Sequence, residues 1–206
     1  MKKILVLFVI CIFWNKNSIQ SQSFEIDSLL TELNQAKEDT TKVNILNNIS
    51  YQFYLVGDFD TELKYAEDAL NLAKKLKWKK GIAHALKNVG SAFDNKGNYI
   101  EALEYYIKSI KLFEEIGSKK GIADTYNNIG SVYVNQGNYV EALKKYFSSL
   151  KIMEETNDKK GLALVNNNIG LVYHEQSDFV KALNYYHSSL KIMEEMKDMK
   201  GIANAY

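Results

Sequence analysis

Between Ile122 and Tyr133 the apolar side chains Ala123, Tyr126, Ile129 and Tyr133 return at steps of three and four, with Ile122 alongside the first. That spacing places them on one face of a helix. The pattern breaks at Gln136-Gly137-Asn138, where glycine and asparagine tolerate the left-handed backbone that ends a helix. It resumes as Tyr139, Ala142, Leu143, Tyr146, Leu150 and Met153, a second face of the same kind. Each such stretch is therefore a helical hairpin. Extended along the chain, the pattern predicts helices near 41–56, 59–76, 79–97, 99–116, 119–136, 139–156, 159–176 and 179–196. Ser118, Asp158 and Asp198 stand where first helices of hairpins should begin, and all three are good N-cap residues.

The hairpins repeat. Glycine recurs at Gly81, Gly121, Gly161 and Gly201 and again at Gly90, Gly130 and Gly170, which fixes a period of 40 residues. More than half of the positions in 121–160 are identical to those in 161–200, including Ser148 to Glu155 against Ser188 to Glu195. A period of this size means stacked supersecondary units. The division that follows is 81–120, 121–160 and 161–200, preceded by a degenerate unit over 41–80 and followed by the start of a further, truncated unit over 201–206. In the degenerate unit Asn48-Ile49, Tyr51, Phe53, Gly57-Asp58-Phe59 and Leu63 keep the register, with Ser50 where glycine is expected and Glu62 where alanine is expected. Upstream, 24–40 carries an amphipathic helix with Ile26, Leu29, Leu30 and Leu33 on one face, suited to capping a stack.

The unit resembles a tetratricopeptide repeat. The family's run of a large residue, an aliphatic residue with glycine, an aromatic, then alanine and an aromatic in the second helix is matched by Tyr126, Ile129-Gly130, Tyr133, Ala142 and Tyr146. The preceding unit supplies Leu86, Val89-Gly90, Phe93, Ala102 and Tyr106; the following one supplies Ile169-Gly170, Tyr173, Ala182 and Tyr186. Asn166 departs from the pattern at the leading position of that last unit, with Val165 beside it to fill part of the space. Glu114, Glu154 and Glu194 stand where the closing proline is usual, and the period exceeds the common form of about 34 residues. Both departures are similar to the longer repeats of the LGN/Pins scaffolds and kinesin light chains. The fold implied is all-α, a right-handed superhelical solenoid of antiparallel helix pairs, in which glycine faces alanine where the helices cross and aromatics fill the space on either side.

The chain opens on Met1-Lys2-Lys3, the apolar run Ile4 to Trp14, and a polar stretch ending in Ser21-Gln22-Ser23. Residues 1–23 thus read as a signal peptide, since the run is too short to span a membrane, which takes about 20 apolar residues. Cys11, the single cysteine, follows Ile10 and not a small residue, which argues against a lipid attachment site. Loss of the leader with Lys2, Lys3 and Lys16 takes the formal net charge from +1 to −2 and leaves no cysteine for a disulfide. Every basic residue apart from histidine is lysine, so the bidentate guanidinium fork is missing, and no field remains to concentrate nucleic acid. The sequence therefore implies an exported protein, in the periplasm or envelope of a Gram-negative bacterium.

No constellation for catalysis stands out. His174-Glu175 with Asp178 is a fragment of a zinc-peptidase helix that lacks its second histidine. His84 and His187 stand alone, on a surface or groove wall, and the lysine pairs Lys79-Lys80, Lys119-Lys120 and Lys159-Lys160 read as a solvated ridge. No cofactor, metal or enzymatic role is expected. Asparagine is different. Asn48, Asn88, Asn128 and Asn168 recur in register, joined by Asn127, Asn167 and Lys87, although asparagine is an indifferent helix former. The resemblance implies that first helices line a concave groove in which Asn88, Asn128, Asn168, Asn127, Asn167 and Lys87 meet an extended bound peptide, an amide offering both donor and acceptor. The alternative is that these amides tie neighbouring helices together. The expected function is an exported protein- or peptide-binding scaffold. Its alternative is the extracytoplasmic sensor segment of a larger signalling protein (histidine kinase, cyclase or DNA-binding regulator), because Asp27 to Leu30 and Asp39 to Lys42 resemble the opening of bacterial envelope regulators. In that case the output domain, and any membrane span, would lie beyond Tyr206.

Overall fold

The computed structural model describes residues 24–196, and the leader over 1–23, the cap at Asp198 and the unit starting at 201 lie outside it. The described residues are helical, without a strand. Helix α1 spans 24–35. It is followed by α2 (Thr40–Val56), α3 (Phe59–Lys75), α4 (Lys79–Asn95), α5 (Tyr99–Glu115), α6 (Lys119–Asn135), α7 (Tyr139–Thr156), α8 (Lys159–Glu175) and α9 (Phe179–Glu195).

A two-residue punctuation separates most of these helices. A residue in the left-handed region is followed at once by the N-cap of the next helix: Gly57 before Asp58, Gly97 before Asn98, Gly117 before Ser118, Gly137 before Asn138, Asn157 before Asp158, and Ser177 before Asp178. Gly137 sits at φ 71°, where a side chain on an L-residue is disfavoured. Asn157 takes the same role at φ 52°, as asparagine can. The caps then satisfy first-turn N–H groups that have no partner within the helix. Asp39 accepts from Thr41 N at 2.8 Å, Asp58 from Thr61 N at 3.1 Å, Ser118 from Gly121 N at 3.3 Å, Asp158 from Gly161 N at 3.2 Å, and Asp178 from Lys181 N at 3.1 Å.

The chain forms two compact units divided within α4, between Ala92 and Phe93. In the first, α2 packs on α3, burying Val43, Leu46 and Ile49 from one helix and Ala66, Ala69, Leu70 and Ala73 from the other. Phe53 and Tyr65 stack across this hairpin with ring centroids 5.6 Å apart. Gln52 stands at the register position of Val132 and Val172 and is buried, with its amide nitrogen donating to Glu25 Oε1 of α1 at 2.9 Å.

In the second unit α5 packs on α6, α6 on α7, α7 on α8 and α8 on α9. Ala102, Tyr106, Ile129 and Val132 form one cluster; Ala142, Tyr146, Met153, Val165, Ile169 and Val172 belong to the next. The glycines permit this closeness, although their neighbours are not the alanines the sequence suggests. A Cβ at Gly130 would lie 2.5 Å from the ring of Tyr146, and one at Gly170 2.7 Å from that of Tyr186. The Ala182 carbonyl oxygen comes only third at Gly170, at 3.3 Å. Gly121 makes room in the same way for Phe113, and Gly161 for Met153. The glycine is therefore a seat for a ring or thioether; at Gly130 and Gly170 the alanine, Ala142 or Ala182, lies one turn before that ring on the partner helix. Val165 is fully buried, and Asn166 beside it turns its amide back to donate to Leu162 O at 2.7 Å.

Gly130→Ala tests this packing. Alanine is the better helix former by about 1 kcal/mol, yet a methyl group here overlaps the Tyr146 ring, and overpacking costs about 1–3 kcal/mol. The expected outcome is a lower melting temperature by circular dichroism. A rise would show that the ring moves aside freely.

Candidate functional site

On α6, Asp124, Asn127, Asn128, Ser131 and Asn135 follow one another at helical spacing; on α8 the same register holds Leu164, Asn167, Asn168, Leu171 and Glu175. The two helices touch, and the contact includes an amide pair in which Asn168 Nδ2 donates to Asn127 Oδ1 at 2.9 Å. A second tie, from Asn135 Nδ2 to Asp94 Oδ1 at 3.0 Å, lies in the same unit. In the first unit Asn88 Nδ2 donates to Asn47 Oδ1, also at 2.9 Å. All three ties join residues 41 apart. Each links first helices of successive hairpins, one register step off the repeat.

The asparagines singled out by the sequence thus divide in two. Asn88, Asn127 and Asn168 each bond an amide of a neighbouring first helix, the arrangement of the alternative in which these amides tie helices together. The reason is reach: an amide on one first helix meets the amide one register position earlier on the last. Asn128 and Asn167 are half-buried on the same face. Lys87, also half-buried, is on α4. A single amide–amide bond uses one N–H of Asn168 and leaves its carbonyl oxygen and second N–H for another partner.

Burial shapes the charges along these helices. The Asp94 carboxyl is raised above the usual range by loss of solvent, with the Asn135 N–H opposing that rise. Tyr146 is raised by burial as well, and its hydroxyl lies 3.1 Å from Ser131 Oγ on α6. On α4, His84 is pushed down to about 4 by burial first, then by Lys87 and Lys80.

The lysine ridge is engaged by nearby acids, Lys119 and Lys159 within their own hairpins and Lys120 by the N-cap of the next hairpin's first helix. Lys119 Nζ lies 3.0 Å from Glu155 Oε2, Lys159 Nζ lies 3.1 Å from Glu195 Oε2, and Lys120 pairs with Asp158. These contacts are exposed and weak individually. His174 is exposed with its Nδ1 3.8 Å from Glu175 Oε1, and among the described residues no group of three or more metal-ligating side chains is placed to hold an ion. No described helix is long and apolar enough to cross a membrane.

Sequence reasoning missed two sets of ties. Buried Ser149 donates to Ala123 O at 2.8 Å, and buried Ser189 to Ala163 O at 2.7 Å, each pinning a second helix to the first helix of its own hairpin. The recurrence of serine at Ser109, Ser149 and Ser189 was the available signal. The Asp94–Asn135 tie carries no such mark, because Val134 and His174 occupy the register position of Asp94.

Paired helices, a 40-residue period and an amide-bearing face shared by first helices define an all-α repeat scaffold of the solenoid class. Tetratricopeptide-repeat profiles match residues 121–195 and 83–115, together just over half of the chain. The chain belongs to the tetratricopeptide-repeat family. No curated protein sequence matches it. Among solved structures, a Rap protein complexed with Competence and Sporulation Factor is similar at a TM-score of 0.82 and 17% identity, over 91% of this chain and 54% of that one. Aspartyl phosphate phosphatase F from Bacillus subtilis is similar at 0.75 and 16%, over 90% and 52%. A STAND signal-transduction ATPase with a tetratricopeptide-repeat sensor from Pyrococcus horikoshii is similar at 0.70 and 16%, over 91% and 30%. The chain spans about half the length of the first two and under a third of the last.

The depressed His84 sets an acid limb of stability. Its folded value of about 4 lies below its ordinary 6.5, so between the two the unfolded chain binds more protons and stability falls as pH falls. His84→Gln should flatten the decline in melting temperature between pH 6.5 and 4 relative to wild type. Parallel profiles for the two proteins would contradict the assignment.

Proposed function

We propose that the protein is a scaffold that captures an extended peptide segment of another protein on the face shared by α6 and α8, with no reaction of its own. The observation that carries this reading is the Asn127–Asn168 pair beside Asn128 and Asn167. An extended peptide has unpaired N–H and C=O groups along its length, and a row of amides can meet both. The pair also fixes the Asn168 side chain before a ligand arrives, which lowers the ordering cost of binding. Asn88, tied to Asn47 and with Lys87 beside it, offers the same chemistry in the first unit. The repeat division over 41–80, 81–120, 121–160 and 161–200 belongs to this reading, each first helix being a station for backbone contact. What supports it from outside the chain is the family, together with the complex that a Rap protein of the same fold makes with Competence and Sporulation Factor.

Peptides selected by display against the wild-type protein provide the ligand for the test. Each hydrogen bond contributes only about 0.5–1.5 kcal/mol net, so Asn128→Ala should weaken binding several-fold with little change in melting temperature. Replacing Asn128, Asn167 and Asn168 together should abolish binding, and Asn168→Ala alone should also cost about 0.5–1.5 kcal/mol of stability through the lost tie. Normal binding by the triple variant contradicts the reading.

The finer reading is that the scaffold is exported, and that it serves as the sensing segment of a larger envelope signalling protein. The leader-like sequence of 1–23 favours export, and the similarity to a STAND protein with a tetratricopeptide-repeat sensor favours sensing. Intact-mass analysis of the protein from its own cells should find the leader removed near Ser21 or Ser23. An intact leader on protein from the cytoplasmic fraction overturns the export reading.

A further inference from the structure

The α6 and α8 halves of the amide face differ in chemistry. At the positions that bracket the amides, α6 carries Asp124 and Ser131, while α8 carries Leu164 and Leu171, with 51% and 42% of their surfaces exposed. Both leucines leave apolar surface on a solvent-facing helix side, and such surface gains from being covered. The two leucines are seven residues apart, so they lie about 10.5 Å from each other along α8, with Asn167 and Asn168 on the turn between them. A peptide backbone bonded at Asn168 therefore runs between two apolar walls, each about one helical turn away.

Charge restricts the occupant further. The lysines of α6 and α8 are confined to their first turns, at Lys119, Lys120, Lys159 and Lys160. Beyond those turns the charged groups are Asp124 on α6 and Glu175 on α8, with His174 beside Glu175 and the Asp94 carboxyl tied to Asn135. Past the first turns this face offers carboxylates and no lysine, which disfavours an acidic segment there. A neutral or basic one is not disfavoured.

Resting on the groove reading above, we propose that Leu164 and Leu171 form an aliphatic side-chain subsite, so that the ligand is an extended, neutral-to-basic peptide segment with a leucine- or valine-like residue at the α8 station. The subsite has two effects. It gains from removing the ligand's aliphatic side chain from water. It also shields the backbone bonds at Asn168 from solvent, and a hydrogen bond in a drier setting is the stronger one. The amides alone accept any backbone; the leucines choose among side chains.

The experiment uses acetylated, amidated seven-residue peptides of alternating threonine and lysine whose central position is leucine, valine, serine or aspartate, titrated by calorimetry against the full chain. Wild type should prefer leucine over serine by roughly tenfold and bind the aspartate peptide least. A double variant, Leu164→Ser with Leu171→Ser, should lose that preference and bind the leucine and serine peptides alike, both more weakly than wild type binds the serine peptide, while keeping the melting temperature within a few degrees. The Asn128, Asn167 and Asn168 triple variant should bind none of the four. If wild type binds no peptide, the groove reading falls and this inference with it. If peptides bind without preference, or the double variant keeps the preference, the groove stands and the subsite does not. If the double variant melts far below wild type, the leucines are covered by the chain itself and the subsite is overturned.

Discussion

Close approach of two helices at a residue without a side chain is the constraint on which the second unit depends. Gly130 admits the ring of Tyr146 and Gly170 that of Tyr186 into space where a Cβ would overlap them. The Tyr146 ring is then held between its own hairpin and the first helix of the next, by its place in the cluster with Ile169 and Val172. The spacing of the first helices follows from this. Only with α6 and α8 packed together does Asn168 reach Asn127, and that bond joins the two helices into one amide-bearing face. The interaction that sets the fold also sets the spacing of the amides.

Polar ties and apolar packing divide the work between them. Side-chain volume places the helices, but clusters of aliphatic and aromatic residues tolerate sliding and rearrangement. The Ser149 bond to Ala123 O and the Asn168 bond to Asn127 fix register instead, because a displaced helix would leave these groups without partners. One tie acts within a hairpin and the other between hairpins. The amides of the candidate site are consequently part of the architecture as well as of the proposed function.

Much of this is legible in the sequence because the repeat averages out local ambiguity. Three glycines at one register position, alternating with Asn138 or Asp178 at another, mark turns and starts that a single copy would leave open. The limits of the eight repeat helices came within two residues of expectation for that reason, while α1, outside the repeat, ends at residue 35 and not near 40. The family followed from the same residues. What sequence could not supply was partner choice between side chains. That Gly130 seats Tyr146 and not Ala142 depends on ring direction, and that Asn168 bonds Asn127 depends on an offset of one residue between neighbouring helices. Both are distances across the interface. Asp94 shows the limit most clearly, since its register position holds valine and histidine elsewhere and its tie to Asn135 leaves no trace in the pattern.

The central claim is that backbone recognition takes place on the amide face of α6 and α8. Side-chain amide resonances observed by NMR during titration with a bound peptide report on it directly. The account predicts that Asn128, Asn167 and Asn168 shift together, while the cap amides of Asn138 and Asn157 stay in place. Shifts confined to residues of α7 and α9, with the Asn128, Asn167 and Asn168 amides unmoved at saturation, would contradict it.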